Sequence, residues 1–255
     1  MIRCRDIIAF MEQVAPCELA EEWDNVGLLL GNREAAVKKI MLCLDITTSS
    51  VKEALIHNAD MIITHHPVIF KSLNRVVEGE PKGNLLYPLI KNGVSVYAAH
   101  TNLDFAVSGV NTHLANVLGL KALGTFGKGP GKTGLLECEL GLKEFAEQVK
   151  AALDVPFVRI VGKEDKAIHK VAVFSGSFDD DLDAVTQVKA DVLVTGDLKY
   201  HTAIDAMEAG ICIIDAGHFN TEKIVLPALA TAFKDNFADI EVHYFQKEED
   251  PFKTY

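Results

Sequence analysis

The sequence predicts an α/β protein made of two similar, interlocked domains, the product of an internal duplication, with a metal site in the cleft between them. Three observations carry that expectation. Short apolar strands alternate with helical patterns along the chain. The segment Ala59-Asp-Met-Ile-Ile-Thr64 returns as Ala190-Asp-Val-Leu-Val-Thr195, matching in character at every position. Histidines and carboxylates gather where strands end, the edge at which open α/β sheets hold their ligands.

In the first half, Ile7, Ile8, Met11 and Val14 fall at helical spacing, and Pro16 ends the pattern. Residues 21–32 then join a polar Trp23-Asp-Asn loop to a short strand. Two readings of the loop stand side by side: Trp23 packs beneath it while Asp24 and Asn25 shape a turn, or all three line a site. Lys39–Asp45 reads as a strand, residues 47–49 as a cap, and Val51–Ala59 as a helix. The apolar run Met61-Ile-Ile climbs to Thr64 and stops at His65-His66, because Pro67 cannot continue a strand. Within a strand adjacent side chains face opposite ways; at its carboxyl end, where the chain turns, both histidines can enter one crevice. The resulting β-α-β unit requires parallel strands and a right-handed crossover. A helix over 85–92, a strand over 94–99 leading to His100-Thr-Asn-Leu-Asp104, and a helix over 110–118 complete this half.

Gly124–Gly134 is glycine-rich and polar, and reads as a linker or surface loop at a domain junction. It lacks both the glycine spacing and the strand-to-helix setting of a phosphate loop. The expected domains are therefore residues 1–124 with 225–255, and residues 125–224. Beyond the junction come strands near 135–140, 157–161 and 170–174, and helices over 142–153 and 180–189. The repeated strand Ala190–Thr195 follows, and then Gly210-Ile-Cys-Ile-Ile leads to His218 with Glu222 four residues on. That echoes Gly93-Val-Ser-Val-Tyr, His100 and Asp104. The halves differ where chemistry would differ, since Gly196-Asp197 occupies the place of His65-His66.

Composition limits the function. Apolar residues make up 49 % and charged residues 24 %, the balance of a globular enzyme-sized protein. A net charge of −11 argues against general nucleic-acid binding. The five scattered cysteines, none in Cys-x-x-Cys, fit free thiols in a reducing compartment. The acidic, amphipathic start does not suit a signal peptide, and no apolar run is long enough for a bilayer, so the expected location is the cytoplasm.

The strand-end residues are His65, His66, His100, Asp104, Asp197, His201, His218 and Glu222. Imidazole with carboxylate and no thiolate fits zinc, iron(II), manganese, cobalt or nickel, and fits calcium poorly. Adjacent histidines with two carboxylates suit a pair of ions, and His218 and Glu222, at i and i+4, share a face if a helix starts there, which Val225, Leu226 and Leu229 continue along its apolar side. Two divalent ions against one Asp and one Glu leave a positive pocket that favours an anionic ligand. His100 either orients a ligand or is a structural histidine.

Trp23-Asp-Asn-Val-Gly-Leu28, Thr64-His-His-Pro-Val-Ile-Phe70, His100-Thr-Asn-Leu-Asp104 with Gly109-Val-Asn111, Thr195-Gly-Asp-Leu-Lys-Tyr-His201 and Gly217-His-Phe-Asn-Thr-Glu222 resemble the Nif-three-like family, also labelled GTP cyclohydrolase 1 type 2. The resemblance spans nearly the whole chain and corresponds to the compact form without an inserted middle domain. It implies a dinuclear centre with His65, His66, Asp104, His218 and Glu222 as ligands and Glu222 bridging. It also implies a ring-shaped homohexamer, a trimer of dimers. Asp197 stands where many members have Glu. The label implies metal-dependent hydrolytic opening of a guanine ring, with GTP or another phosphorylated small molecule as substrate. Glu222, His201 and Asp197 are then the candidate catalytic groups. The competing expectation is a metal-loaded binding or regulatory ring without turnover of its own.

Overall fold

The structure, a computed structural model, describes residues 1–253. In chain order the elements are α1 (Cys4–Val14), β1 (Gly27–Leu30), β2 (Lys39–Cys43), α2 (Thr48–Ile56), β3 (Met61–Thr64), α3 (Pro81–Lys91), β4 (Ser95–Ala98), α4 (Thr101–Phe105) and α5 (Val110–Val117). They continue as β5 (Lys121–Thr125), β6 (Lys132–Gly141), α6 (Leu142–Leu153), β7 (Arg159–Val161), β8 (Ala167–Ser177), α7 (Leu182–Gln187), β9 (Val192–Gly196), α8 (Tyr200–Glu208) and β10 (Cys212–Asp215). The chain closes with α9 (His218–Glu222), α10 (Val225–Asn236) and β11 (Glu241–Tyr244).

Two compact α/β units result, one of residues 1–106 with the segment from Leu226 onward, the other of residues 107–225. In the first, a five-stranded sheet has the order β1-β4-β3-β2-β11; β11, β2, β3 and β4 run parallel and β1 pairs antiparallel with β4. The central strands β2, β3 and β4 bury nearly every side chain, as strands covered on both faces require. Met41, Ile62 and Val96 belong to the core on one face, with Val51 and Ala54 of α2 and Leu86 and Leu89 of α3. Local chemistry starts these helices. At α2, Thr47 Oγ1 accepts from Ser50 N at 3.1 Å while Ser50 Oγ accepts from Thr47 N at 2.8 Å, a reciprocal cap. Pro81, whose fixed φ suits a first turn, starts α3 earlier than the helix expected over 85–92.

In the second unit, the order is β5-β6-β8-β9-β10-β7, with β8, β9 and β10 parallel and β7 antiparallel beside β10. The duplication is visible in this topology. An antiparallel edge strand followed by three parallel strands occurs as β1, β2, β3, β4 and again as β7, β8, β9, β10.

It is visible in the hydrogen bonds too. Asp60 Oδ2 accepts from Lys38 N and Lys39 N at 2.7 and 2.9 Å, where β2 begins. Its counterpart Asp191 Oδ2 accepts from His169 N and Lys170 N at 3.0 and 2.8 Å along β8. At the far ends, Ala99 N donates to the Thr64 carbonyl at 2.9 Å and Ala216 N to the Thr195 carbonyl at 2.8 Å. The Ala-Asp start of each repeated segment is thus a device that ties two parallel strands in register.

Four details depart from expectation. The first change of unit falls at 106/107 rather than 124/125, because α5 lies on β8, where Asn111 Oδ1 accepts from Ser175 N at 2.8 Å. The glycine-rich stretch is no linker: β5 and β6 form an antiparallel hairpin, Thr125 opposite Lys132, inside the second unit. The helix expected to run on from His218 is broken into α9 and α10. Strand β11 had no sequence counterpart; it joins the first sheet beside β2.

Ile62 is fully buried in the first unit. Ile62→Ala is expected to lower stability in urea unfolding by about 2–5 kcal/mol. Val107→Ala, at an exposed side chain, should stay within about 0.5 kcal/mol of wild type.

Candidate metal centre

The first unit brings three imidazoles together at its strand ends. His65 N and His66 N still donate to the Cys43 and Leu44 carbonyls, at 3.2 and 2.9 Å, so β3 pairing runs two residues past Thr64. Thr64 Oγ1 donates to the Leu44 carbonyl at 2.6 Å and approaches the His66 carbonyl at 3.1 Å, and Pro67 then turns the chain away. The two rings lie 4.9 Å apart between centroids, and His100 stands edge-on to both at 5.3 and 5.4 Å. One nitrogen from each ring lies within 4.8 Å of the others, close enough to share an ion.

Each ring is held by its Nδ1. His65 Nδ1 is 2.8 Å from the Ala99 carbonyl, an acceptor only, so Nδ1 carries the proton and Nε2 the lone pair. That Nε2 faces Asp104 Oδ1 at 3.7 Å, and the His65 side chain is 1 % exposed. His66 Nδ1 is 3.1 Å from Asp45 Oδ2, and His100 Nδ1 is 2.9 Å from Asp24 Oδ1. Carboxylate or carbonyl on one imidazole nitrogen, with the other nitrogen turned inward, is the outer support metal-binding histidines require.

Asp24 bears on both readings of the Trp-Asp-Asn loop: its N donates to the Glu21 carbonyl at 3.0 Å in a turn, and its side chain reaches His100. Its carboxylate is fully buried and accepts from His100 Nδ1, Thr101 N at 3.0 Å and Thr101 Oγ1 at 2.5 Å. Burial alone would raise its pKa, but these donors outweigh that and hold the carboxyl well below its ordinary range. Burial lowers the pKa of His100, and the neighbouring His65 and His66 add to that effect against Asp24. Asn25 donates to the Ile69 carbonyl at 2.5 Å, tying the loop to the segment after His65-His66. Trp23 does not pack beneath the loop. It is 60 % exposed and edge-on to Phe70 and His100.

The second unit builds the remaining residues around α9. Asp197, in the left-handed region at φ 48°, directs Oδ2 to His218 Nδ1 at 2.8 Å. His218 Nε2 faces Glu222 Oε2 at 3.1 Å, so the i, i+4 pair meets as its spacing predicts. The Glu222 side chain is 5 % exposed.

Two glycines make this close packing feasible. Gly176, at φ +67°, ends its strand against Glu222 and His218; a Cβ there would collide with Glu222 Oε1 and reach His218 Nε2 at 3.3 Å. A Cβ on Gly196 would collide with the His218 backbone N. Hydrogen bonds complete the clasp: Gly176 N donates to Thr221 Oγ1 at 2.9 Å, and Asp215 Oδ1 accepts from Gly217 N at 3.0 Å. His201 is exposed in the first turn of α8, its ring edge-on to Tyr200.

Strand-end position brought out His65, His66, His100, Asp104, His218 and Glu222 in the sequence. It did not bring out Asp24 and Asp45 as supports of imidazoles, because each partner is distant in sequence. Asp45 at the end of a strand was the one legible signal. The donors could hold a metal ion: imidazole nitrogens backed by oxygen acceptors, adjacent carboxylates, and a glycine where a Cβ would displace Glu222.

Comparison with known proteins gives the family. The family model for Duf34/NIF3 (NGG1p interacting factor 3) matches residues 2–251. The chain belongs to this family. A Clostridium acetobutylicum relative named GTP cyclohydrolase 1 type 2 homolog is 38 % identical over 229 residues, 87 % of this chain and 85 % of the relative. One of the same name from Clostridium perfringens is 35 % identical over 260 residues, covering 99 % of both. The crystal structure of Staphylococcus aureus hypothetical protein SA1388 superposes with a TM-score of 0.93 at 29 % identity, over 99 % of each chain. Among the described residues, no helix is long and apolar enough to cross a membrane.

Two outcomes test the packing of the site. Gly176→Ala is expected to lose about 1–3 kcal/mol more in thermal unfolding than Gly119→Ala, whose Cβ at similar positive φ would meet open space. Asp24, with a lowered folded pKa, adds stability that is complete above the unfolded carboxylate range and lost as pH falls below about 4. Asp24→Asn should therefore cost about 1–3 kcal/mol at pH 7, and its stability should fall less steeply than wild type between about pH 5 and 3.

Proposed function

We propose that the protein is a dinuclear metal-dependent hydrolase acting on a nucleotide or another phosphorylated small molecule, with GTP the first candidate. The observation that carries the reading is the common support of the histidines. His65, His66, His100 and His218 each rest Nδ1 on an oxygen acceptor, as metal-binding imidazoles do. His65, His66, Asp104, His218 and Glu222 would hold two divalent ions. When bound, such ions activate water as a nucleophile and neutralise charge on a phosphorylated substrate.

The chain's own residues then have distinct tasks. Ala99, Asp45 and Asp197 keep the proton on Nδ1 of His65, His66 and His218, so that each presents Nε2. Asp197 is thereby a positioning residue before it is a proton carrier. His201, solvent-exposed, is assigned proton exchange with bulk water. His100, braced by Asp24, walls the His65-His66 pair. The names of the Clostridium relatives support guanine-ring opening of GTP as the activity to test first. A homohexamer, a trimer of dimers, is the assembly proposed, and the cytoplasm the location.

The second reading, a metal-loaded binding protein without turnover, is favoured by the family's description as an interacting factor. Metal analysis of the purified protein, followed by nucleotide assays on wild type and Glu222→Ala, separates the two. The hydrolase reading expects Glu222→Ala to lose bound metal and turnover together. Fewer than one ion per wild-type chain would sink the dinuclear assignment, and full loading without turnover of GTP or related nucleotides would favour the binding protein. Undiminished turnover in Glu222→Ala would remove that residue from the mechanism.

A further inference from the structure

We propose that Glu53, His57 and His243 form a separate divalent-metal site, of zinc type, that fastens helix α2 to the edge strand β11. Glu53 lies on α2, His57 caps its C-terminus one turn later, and His243 lies on β11. The two imidazoles stack, 4.4 Å between centroids and 24° between planes. Both direct Nε2 at the same carboxylate oxygen: His57 Nε2 is 3.4 Å and His243 Nε2 3.7 Å from Glu53 Oε1. One ligand atom from each residue lies within 4.8 Å of the others.

These separations suit an ion. Tetrahedral zinc with ligands at about 2.0–2.2 Å holds neighbouring donor atoms roughly 3.3–3.5 Å apart. His57 and Glu53 already have that spacing, His243 Nε2 stands 3.7 Å from the same carboxylate oxygen, and all three ligand atoms lie within 4.8 Å of one another. His243 Nε2 is shielded from solvent and makes no hydrogen bond, a costly state for a polar nitrogen that coordination would relieve. Burial, together with the neighbouring His57, lowers the His243 pKa, which favours the neutral ring a metal needs. Lys247 Nζ lies 3.8 Å from the other carboxylate oxygen, Oε2, leaving Oε1 to the imidazoles. Three protein ligands leave a fourth position for water.

The site would act on the edge of the sheet. Among the described residues, strand β11 pairs with β2 alone, and the chain just beyond it carries Glu248, whose carboxylate accepts from Leu44 N and Asp45 N at 2.8 and 2.7 Å. Asp45 in turn supports His66. Metal bound here would hold β11, and with it this brace, in place.

Zinc titration of the wild-type protein, followed on the imidazole nitrogens by NMR, tests the proposal directly. The signals of His57 and His243 are expected to move together, and Glu53→Gln should weaken that response about tenfold or more. Equilibrium dialysis should find one zinc per chain fewer in the His57→Gln/His243→Gln double variant. Zinc should also raise the unfolding temperature of wild type more than that of the Glu53→Gln variant. A zinc response at neither ring, or at one alone, overturns the site. So does an equal zinc count in a double variant shown by circular dichroism to be folded. If the double variant does not fold, the wild-type and Glu53→Gln titrations decide the matter alone.

Discussion

An imidazole binds a metal through the nitrogen without a proton, and an acceptor at the other nitrogen fixes which one that is and how the ring points. That constraint shapes most of what surrounds the strand ends of this protein. Ala99 O, Asp45, Asp24 and Asp197 occupy the Nδ1 side of His65, His66, His100 and His218, and the backbone nearby is arranged to deliver them. Asp24 is buried and is charged there because Thr101 and His100 donate to it. Asp197 accepts a left-handed backbone to reach His218. A buried carboxylate and a strained turn are both unfavourable in isolation, and both are explained by the ring they orient.

The duplication supplied the frame on which this was built. In each unit an Ala-Asp pair ties a parallel strand to its neighbour through the same hydrogen bonds, which fixes where the strand ends. What lies past that end is free to differ, because it contributes little to sheet pairing. One copy carries His65-His66, with both rings held on the same side by the turn at Pro67. The other carries Gly196-Asp197, in which a residue without a side chain admits α9 and the next one positions His218. A common scaffold with divergent strand ends is how α/β proteins acquire chemistry without changing their cores.

A second His-His-Glu group lies on the same unit as His65 and His66, at the sheet's edge. Its ligand atoms come from a helix and a strand far apart in sequence, so its role would be to fasten them, as structural metal sites do. The contrast with the strand-end group is instructive. There, carboxylate and carbonyl acceptors support the histidines from behind, whereas Glu53 faces the rings of His57 and His243 as a ligand would.

The sequence by itself determined the α/β class, the repeat, the family and the strand-end donors. Each of these is written in local signals: alternating apolar runs, proline and glycine stops, and short motifs whose neighbours are close in the chain. It misplaced the first change of unit by reading Gly124–Gly134 as a junction, since glycine marks a hairpin turn and a linker alike and only the pairing of β5 with β6 distinguishes them. It also ran one helix through Lys223 and Ile224, and it left β11 unread. Tertiary structure alone decided that Asp24 supports His100, that Asp45 supports His66, and that Gly176 makes room for Glu222. These are contacts between residues far apart along the chain, and no periodicity or spacing in a single sequence encodes which distant partner a buried polar group will find.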